Sequence, residues 1–217
     1  AASDVYKRQS AAMIRDILFK AKEYARKEKA GESQEFRLEL AALSRVFDGM
    51  PVQMAAMKAN DMETAVRIGE EFGLNYVLTM AYDASQVIRD LDRKDLRFII
   101  GPLYGTSFSV EENGKSLSLG AELEKEGVHA AISTGHPEMN LEILSTQLIL
   151  MTDRGLSRKE AIRGVTAYPA ECMGISSRVG TLEPGKDADL VIWDGDPLEY
   201  DGGVKRLFID GEEIALS

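Results

Sequence analysis

Residues 52–133 limit the fold more than any other part of this chain. Four short apolar runs, Val52–Met57, Asn75–Met80, Leu96–Ile100 and Val128–Ser133, have strand length. Stretches of helical character, Asp61–Phe72, Asp83–Leu91 and Gly120–Lys125, lie between them. In Asp61–Phe72, Met62, Ala65, Val66, Gly69 and Phe72 fall on one face, and Gly73 ends the helix. Strands that alternate with helices are joined by crossovers, so they pair in parallel with helices packed on the sheet. The expected class is α/β.

The flanks extend this reading. Ser10 can cap a helix running to about Lys29, with Ile14, Ile17, Leu18, Ala21 and Tyr24 on one face and Gly31 as the stop. A second helix is expected over about Gln34–Phe47, with Phe36, Leu40, Leu43 and Phe47 on one stripe, before Gly49-Met50-Pro51. After the third strand, Gly101-Pro102 opens a loop over about Leu103–Leu117. Glu138–Thr152 reads as a helix with Leu141, Leu144, Leu148 and Met151 inward, and Ser157-Arg158-Lys159-Glu160 as a capping box opening a last helix. Beyond the strand–helix alternation there is no internal repeat.

Composition removes several functions. A formal net charge of −10 argues against binding nucleic acid through a basic surface. No apolar run approaches the roughly 20 residues that span a bilayer, so no membrane association is expected. The single cysteine, Cys172, rules out an internal disulfide and a cysteine-based zinc cluster. Only two histidines, His129 and His136, are present. Ala1–Gln9 lacks an initiator Met, a helical or strand period and the pattern of a signal peptide. Residues 1–9 are expected to be a non-native or disordered start with the native N-terminus missing, and the cytoplasm is the expected location.

The stretch Val179–Leu198, V-G-T-L-E-P-G-K-D-A-D-L-V-I-W-D-G-D-P-L, reads as a turn, a strand and a turn. Pro184 presets φ and Gly185 supplies a positive φ, while Val191 and Ile192 suit a strand. Lys205–Ile209, Asp210-Gly211 and Glu212–Leu216 then read as a hairpin with a type I′ turn. Val179–Leu198 also closely resembles the C-terminal signature of the metal-dependent amidohydrolase superfamily. Met50–Asp61, Glu71–Met80, Phe98–Leu103, Gly127–Pro137 and Gly155–Gly174 carry a likeness to its imidazolonepropionase-like branch. The resemblance implies the C-terminal half of a (β/α)8 TIM-type barrel, strands five to eight, over residues 10–175. Part of a small β-sandwich would follow over residues 176–217. It implies a hydrolase acting on carbon–nitrogen, non-peptide, cyclic amide bonds, with zinc or another divalent metal in intact relatives.

At the positions that would hold that metal, the chain departs from the resemblance. Relatives carry His-Ala-His-Arg at the end of strand five, where this chain has Ala55-Ala56-Met57-Lys58. They carry Leu-Glu-His-Gly on strand six, here Leu78-Thr79-Met80-Ala81, and Thr-Asp-His-Pro after strand eight, here Thr134-Gly135-His136-Pro137. Ala55 and Gly135 offer no donor, and Met80 offers a soft thioether poorly suited to hydrolytic zinc. No cofactor and no catalytic residue are therefore expected in this copy, which is read as impaired in metal binding.

His136, Lys58, Met57 and Met80 are the candidate substrate-binding residues. His136 can alternatively be a loop histidine capping the next helix, and Lys58 a solvated charge. Met54 is read as barrel filling, His129 as structural and Cys172 as a buried small hydrophobe. Glu122, Glu124 and Glu126 do not share a helix face and are read as solvated. Two functions stay open: a family hydrolase, and a non-catalytic paralogue acting as a binding or partner subunit. Expected partners are a small-molecule ligand and either a second copy or an active amidohydrolase, because a half barrel has open edges.

Overall fold

The computed structural model describes residues 2–93, 95–105 and 109–216, which divide into two compact units. One comprises Ala1–Gln53 with Glu63–Tyr76, and the other Met54–Met62 with Val77–Ser217.

The first unit is built on helix α1 (Ala2–Lys29), which packs on α2 (Leu38–Ser44) and a following 3-10 turn, Arg45–Asp48. Leu18, Ala21, Tyr24 and Ala25 of α1 are buried, as are Val46, Val66, Ile68 and Phe72. Helix α1 begins at Ala2, not at Ser10. Ser10 is internal to it, its hydroxyl donating to the Tyr6 carbonyl oxygen at 3.1 Å, one turn back. The helix thus extends from Ala2 through residues where no helical period was expected. The weak apolar period there hid a sequence rich in Ala, Lys, Arg and Gln, which favour helix by propensity. The second helix is shorter than expected, because Arg37 is extended and no side chain caps the helix start. Phe36 and Leu38 are 70% and 71% exposed, so the anticipated stripe is only partly realised. Within this unit, a Cβ on Gly69 would lie 2.4 Å from Tyr76 Cδ1, so the ring uses the space that glycine leaves.

The strands β1 (Val52–Ala55), β2 (Tyr76–Thr79), β3 (Phe98–Ile100) and β4 (Ala130–Ile132) form one sheet in the order β1-β2-β3-β4. The Val52 N–H donates to the Asn75 carbonyl oxygen at 2.8 Å, and the Ala56 N–H to that of Thr79 at 3.0 Å. The β2–β3 and β3–β4 pairs are parallel, with Leu78 opposite Phe98 and Ile99 opposite Ala131. Helices α3 (Ala59–Phe72), α4 (Ala84–Leu91) and α5 (Leu119–Lys125) connect successive strands. Sequential order, parallel pairing and helical crossovers are the plan of a (β/α)8 barrel, of which four strands are present here.

The two faces of this sheet are filled differently. Leu78, Phe98 and Ile100 lie on one face, with no accessible surface. Ile100, Ala130 and Ile132 line a small cavity there with Gly120 and Glu124 of α5, Leu156 and Glu160. On the other face, Val77, Ile99 and Ala131 pack against Ala167, Tyr168 and Cys172 of α8 (Ala167–Cys172). After β4, Asn140 caps a 3-10 turn, Leu141–Ile143, before α6 (Leu144–Asp153). The helix expected from Glu138 therefore starts later, and Leu141 is 62% exposed, outside the buried stripe of Leu148 and Met151.

Ser157 caps α7 (Arg158–Val165), its Oγ accepting from the Glu160 N–H at 3.2 Å. Only this half of the expected capping box forms. The Ser157 N–H donates instead to Glu124 Oε2 at 2.9 Å, and the Glu160 side chain turns inward. There its Oε2 accepts from the Tyr168 hydroxyl at 2.7 Å and lies 2.7 Å from His129 Nδ1, with the His129 and Tyr168 rings stacked at 4.9 Å. Glu122, Glu124 and Glu126 are half-buried rather than fully solvated, because Glu122 accepts from Ser118 and Glu124 from the Ser157 backbone.

Strands β5 (Leu190–Asp194), β6 (Gly203–Ile209) and β7 (Glu212–Ile214) form a separate antiparallel sheet. Its hairpin turn has Asp210 at φ 51° and Gly211 at φ 79°, the two positive values of the expected type I′ turn. No helix among the described residues is long and apolar enough to cross a membrane.

Candidate functional site

Parallel strands end together, so β1 to β4 bring four connecting loops to one end of the sheet. These are residues 56–58, 80–83, 101–103 and 133–138, all in the second unit. Three links fix their backbone. Gln147, fully buried on α6, accepts from the Leu103 N–H at 2.8 Å and donates to the Ser133 carbonyl oxygen at 3.2 Å, tying the ends of β3 and β4. Asp83 Oδ2 accepts from the Ala59 N–H at 3.3 Å and lies 3.6 Å from Lys58 Nζ, tying the ends of β1 and β2. The Ser133 hydroxyl accepts from the Gly135 N–H at 2.9 Å, holding the turn after β4.

Among the sequence-predicted residues, Met57 and Met80 are half-buried on the loops after β1 and β2. Met80 has φ 56°, a left-handed conformation that costs a non-glycine residue of order 1–3 kcal/mol. Lys58 is not a free charge, since Asp83 pairs with it. His136 is exposed on the turn after β4. His129 lies before the start of β4, away from these loops, and Cys172 is buried, with burial pushing its thiol pKa up.

Several polar residues at this end carry no family motif. Tyr82, 2% exposed, follows β2, and its hydroxyl is buried beside Lys115; Thr134 Oγ1, buried after β4, has no hydrogen-bond partner among the described residues. Lys115 lies beside Tyr82, its ammonium 5.3 Å from the ring centroid. Burial pushes the Tyr82 pKa up to about 12, and the charge of Lys115 pulls the other way. Burial lowers the pKa of Lys115, but hydrogen bonds to Glu112 and Glu138 outweigh it, and the net shift is upward. The ammonium therefore stays charged. Of this cluster, the sequence signals only the Glu112–Lys115 spacing of three, a helical neighbour distance.

A profile of the amidohydrolase family matches residues 20–214. The chain belongs to the amidohydrolase family. An amidohydrolase from Thermotoga maritima superposes on 94% of it with a TM-score of 0.87 at 33% identity, and the chain covers 55% of that protein. An imidazolonepropionase from Sphingopyxis alaskensis is 40% identical over 81 residues, which are 36% of this chain and 20% of the relative. One from Maricaulis maris is 28% identical over 171 residues, 77% of this chain and 41% of the relative. The chain thus spans about half or less of the length of these proteins. Its fold is α/β: the C-terminal half of the family's (β/α)8 TIM-type barrel plus part of the small β-sandwich.

Members of this family are typically metal-dependent. At three positions the ends of these strands carry no imidazole, thiolate or carboxylate. Ala55 and Gly135 carry no donor, and Met80 carries only a thioether. Among the described residues, no three His, Cys, Asp or Glu side chains come together as a metal site. The Gly135 backbone also opposes a carboxylate at its position. Its φ is 63°, and a Cβ there would lie 2.6 Å from Pro102 Cδ.

Proposed function

We propose that this chain is the C-terminal part of a protein built on the plan of a carbon–nitrogen hydrolase, with the metal-dependent step lost from these strands. The end of the sheet where the loops gather keeps a role in holding a small ligand. The Gly135–Pro102 contact carries this reading. A missing carboxylate alone could be a single changed residue, but here Pro102 Cδ stands 2.6 Å from where a Cβ on residue 135 would lie. Met57 and Met80 supply apolar surface on the loops after β1 and β2, and Lys58 and His136 supply polar groups. The imidazolonepropionase relatives suggest a small cyclic amide as the class of ligand. Activating water at neutral pH takes a properly ligated metal and a base, and neither is provided by Ala55, Met80 and Gly135.

The competing reading, an active cyclic-amide hydrolase, is favoured by the extent of the family match. Metal content separates the two. The full-length protein would be loaded with zinc, dialysed and measured by elemental mass spectrometry, then assayed for cyclic-amide hydrolysis. The binding reading expects well under one zinc per chain and no turnover. About one tightly held zinc per chain, together with hydrolysis, would overturn it.

A further inference from the structure

The connection after β3 returns to the ends of β2 and β4. Its 3-10 turn, Val110–Gly114, sits so closely on the loop after β2 that a Cβ on Gly114 would meet Tyr82 Cβ at 3.2 Å. Lys115 follows, and its side chain is 5% exposed. Its Nζ lies 2.7 Å from Glu112 Oε2, within the same turn, and 2.9 Å from Glu138 Oε1, on the loop after β4. The Ser109 hydroxyl donates to Glu112 Oε1 at 3.2 Å, fixing that carboxylate from the other side. A lysine ammonium has three donors. Here two meet carboxylates, and the charge rests over the Tyr82 ring.

One cation therefore joins the loops after β2, β3 and β4. We propose that residues 109–115 are a strap held across the strand ends by Lys115, with Glu138 as the latch. Opening it uncovers the buried Tyr82, against which Gly114 and Lys115 lie while the strap is closed.

The two carboxylates have different jobs. Glu112 is local to the strap, and its side chain is 12% exposed, so it holds the ammonium whether the strap is closed or open. Glu138 is on another loop and is 30% exposed, so water reaches it and can replace its contact. Buried ion pairs contribute little net stability, because desolvation offsets attraction, yet they fix one arrangement over others. That combination suits a latch: it selects the closed loops and yields without unfolding the sheet.

Hydrogen–deuterium exchange on the protein tests this without any ligand. It therefore stands or falls separately from the ligand-holding role proposed above, which the metal measurement decides. Glu138→Gln removes the latch charge and leaves the Lys115–Glu112 pair intact. Amides of residues 109–119 and 81–86 should exchange at least tenfold faster, while those of β3 and β4 keep their rates. Lys115→Arg, which keeps the charge, should retain most of the protection. Exchange in 109–119 within twofold of the wild type for Glu138→Gln would overturn the proposal. So would equal acceleration in β3 and β4, because the contact would then support the whole sheet.

Discussion

Gly135→Asp places a carboxylate on the turn after β4, where the family resemblance puts one, and the structure expects it to cost stability and gain no metal. Two penalties apply. The backbone is at φ 63°, where an L side chain costs about 1–2 kcal/mol. The new Cβ would stand 2.6 Å from Pro102 Cδ, so the chain must shift, and overpacking of this kind costs about 1–3 kcal/mol. Together they predict a loss of about 2–5 kcal/mol. For a domain of this size the melting temperature should fall by at least about 4 °C. Urea unfolding followed by circular dichroism measures the loss, and elemental mass spectrometry after zinc loading measures the metal. Gly135→Ala is the control, since it brings the same Cβ without the charge, and it should show most of the loss. If Gly135→Asp stays within about 0.5 kcal/mol of the wild type, the size of an ordinary surface change, the steric reasoning is wrong. If it is stable and holds one zinc per chain, the reading of the strand ends is wrong as well.

Three further outcomes follow from other contacts. Gln147→Leu leaves the Leu103 N–H and the Ser133 carbonyl oxygen buried without their partner, and should destabilise by about 2–4 kcal/mol in urea unfolding. Gly69→Ala in α3 would ordinarily gain about 1 kcal/mol of helix propensity. Contact with the Tyr76 ring should reverse the sign to a net loss, and an observed gain would mean that the ring moves aside freely. Tyr82 and Tyr168 each have their pKa pushed up to about 12, mainly by burial and, for Tyr168, also by Glu160. Both are neutral in the folded and unfolded chain below about pH 10. Between there and about 12 the unfolded chain loses these protons first, so stability should fall by up to roughly 1.4 kcal/mol per pH unit for each tyrosine. Ultraviolet difference titration should find two tyrosines ionising late, and a single transition near 10 for all of them would contradict this.

Where the apolar period was strong, sequence and structure coincide. The alternation of short apolar runs with helices became a parallel sheet in sequence order, and Asp210-Gly211 became the type I′ turn. Each of those signals is local: a period, a turn residue or a cap acts within a few residues of itself. Weak or competing local signals misled. Ser10 has the chemistry of a cap but lies inside α1, where favourable propensity on its N-terminal side carried the helix past it. Glu160 completes a capping-box pattern, yet its carboxylate turned to Tyr168 and His129, because a buried hydroxyl needs an acceptor more than an already capped helix needs a second bond.

The candidate site divides along the same line. That Ala55, Met80 and Gly135 offer no imidazole or carboxylate is visible in the sequence, since it is a matter of residue type. Gly135's contact with Pro102, the pairing of Lys58 with Asp83, the two bonds of Gln147 and the bond of Lys115 to Glu138 join residues 14 to 44 positions apart. No period or motif encodes such pairs. The sequence alone determined the alternation of strands and helices, their parallel order and the residue types at the strand ends, because those depend on the identity and spacing of near neighbours. Which charges are already paired, and how closely Pro102 approaches Gly135, were decided only by the tertiary structure, because each depends on what packing places within a few ångströms.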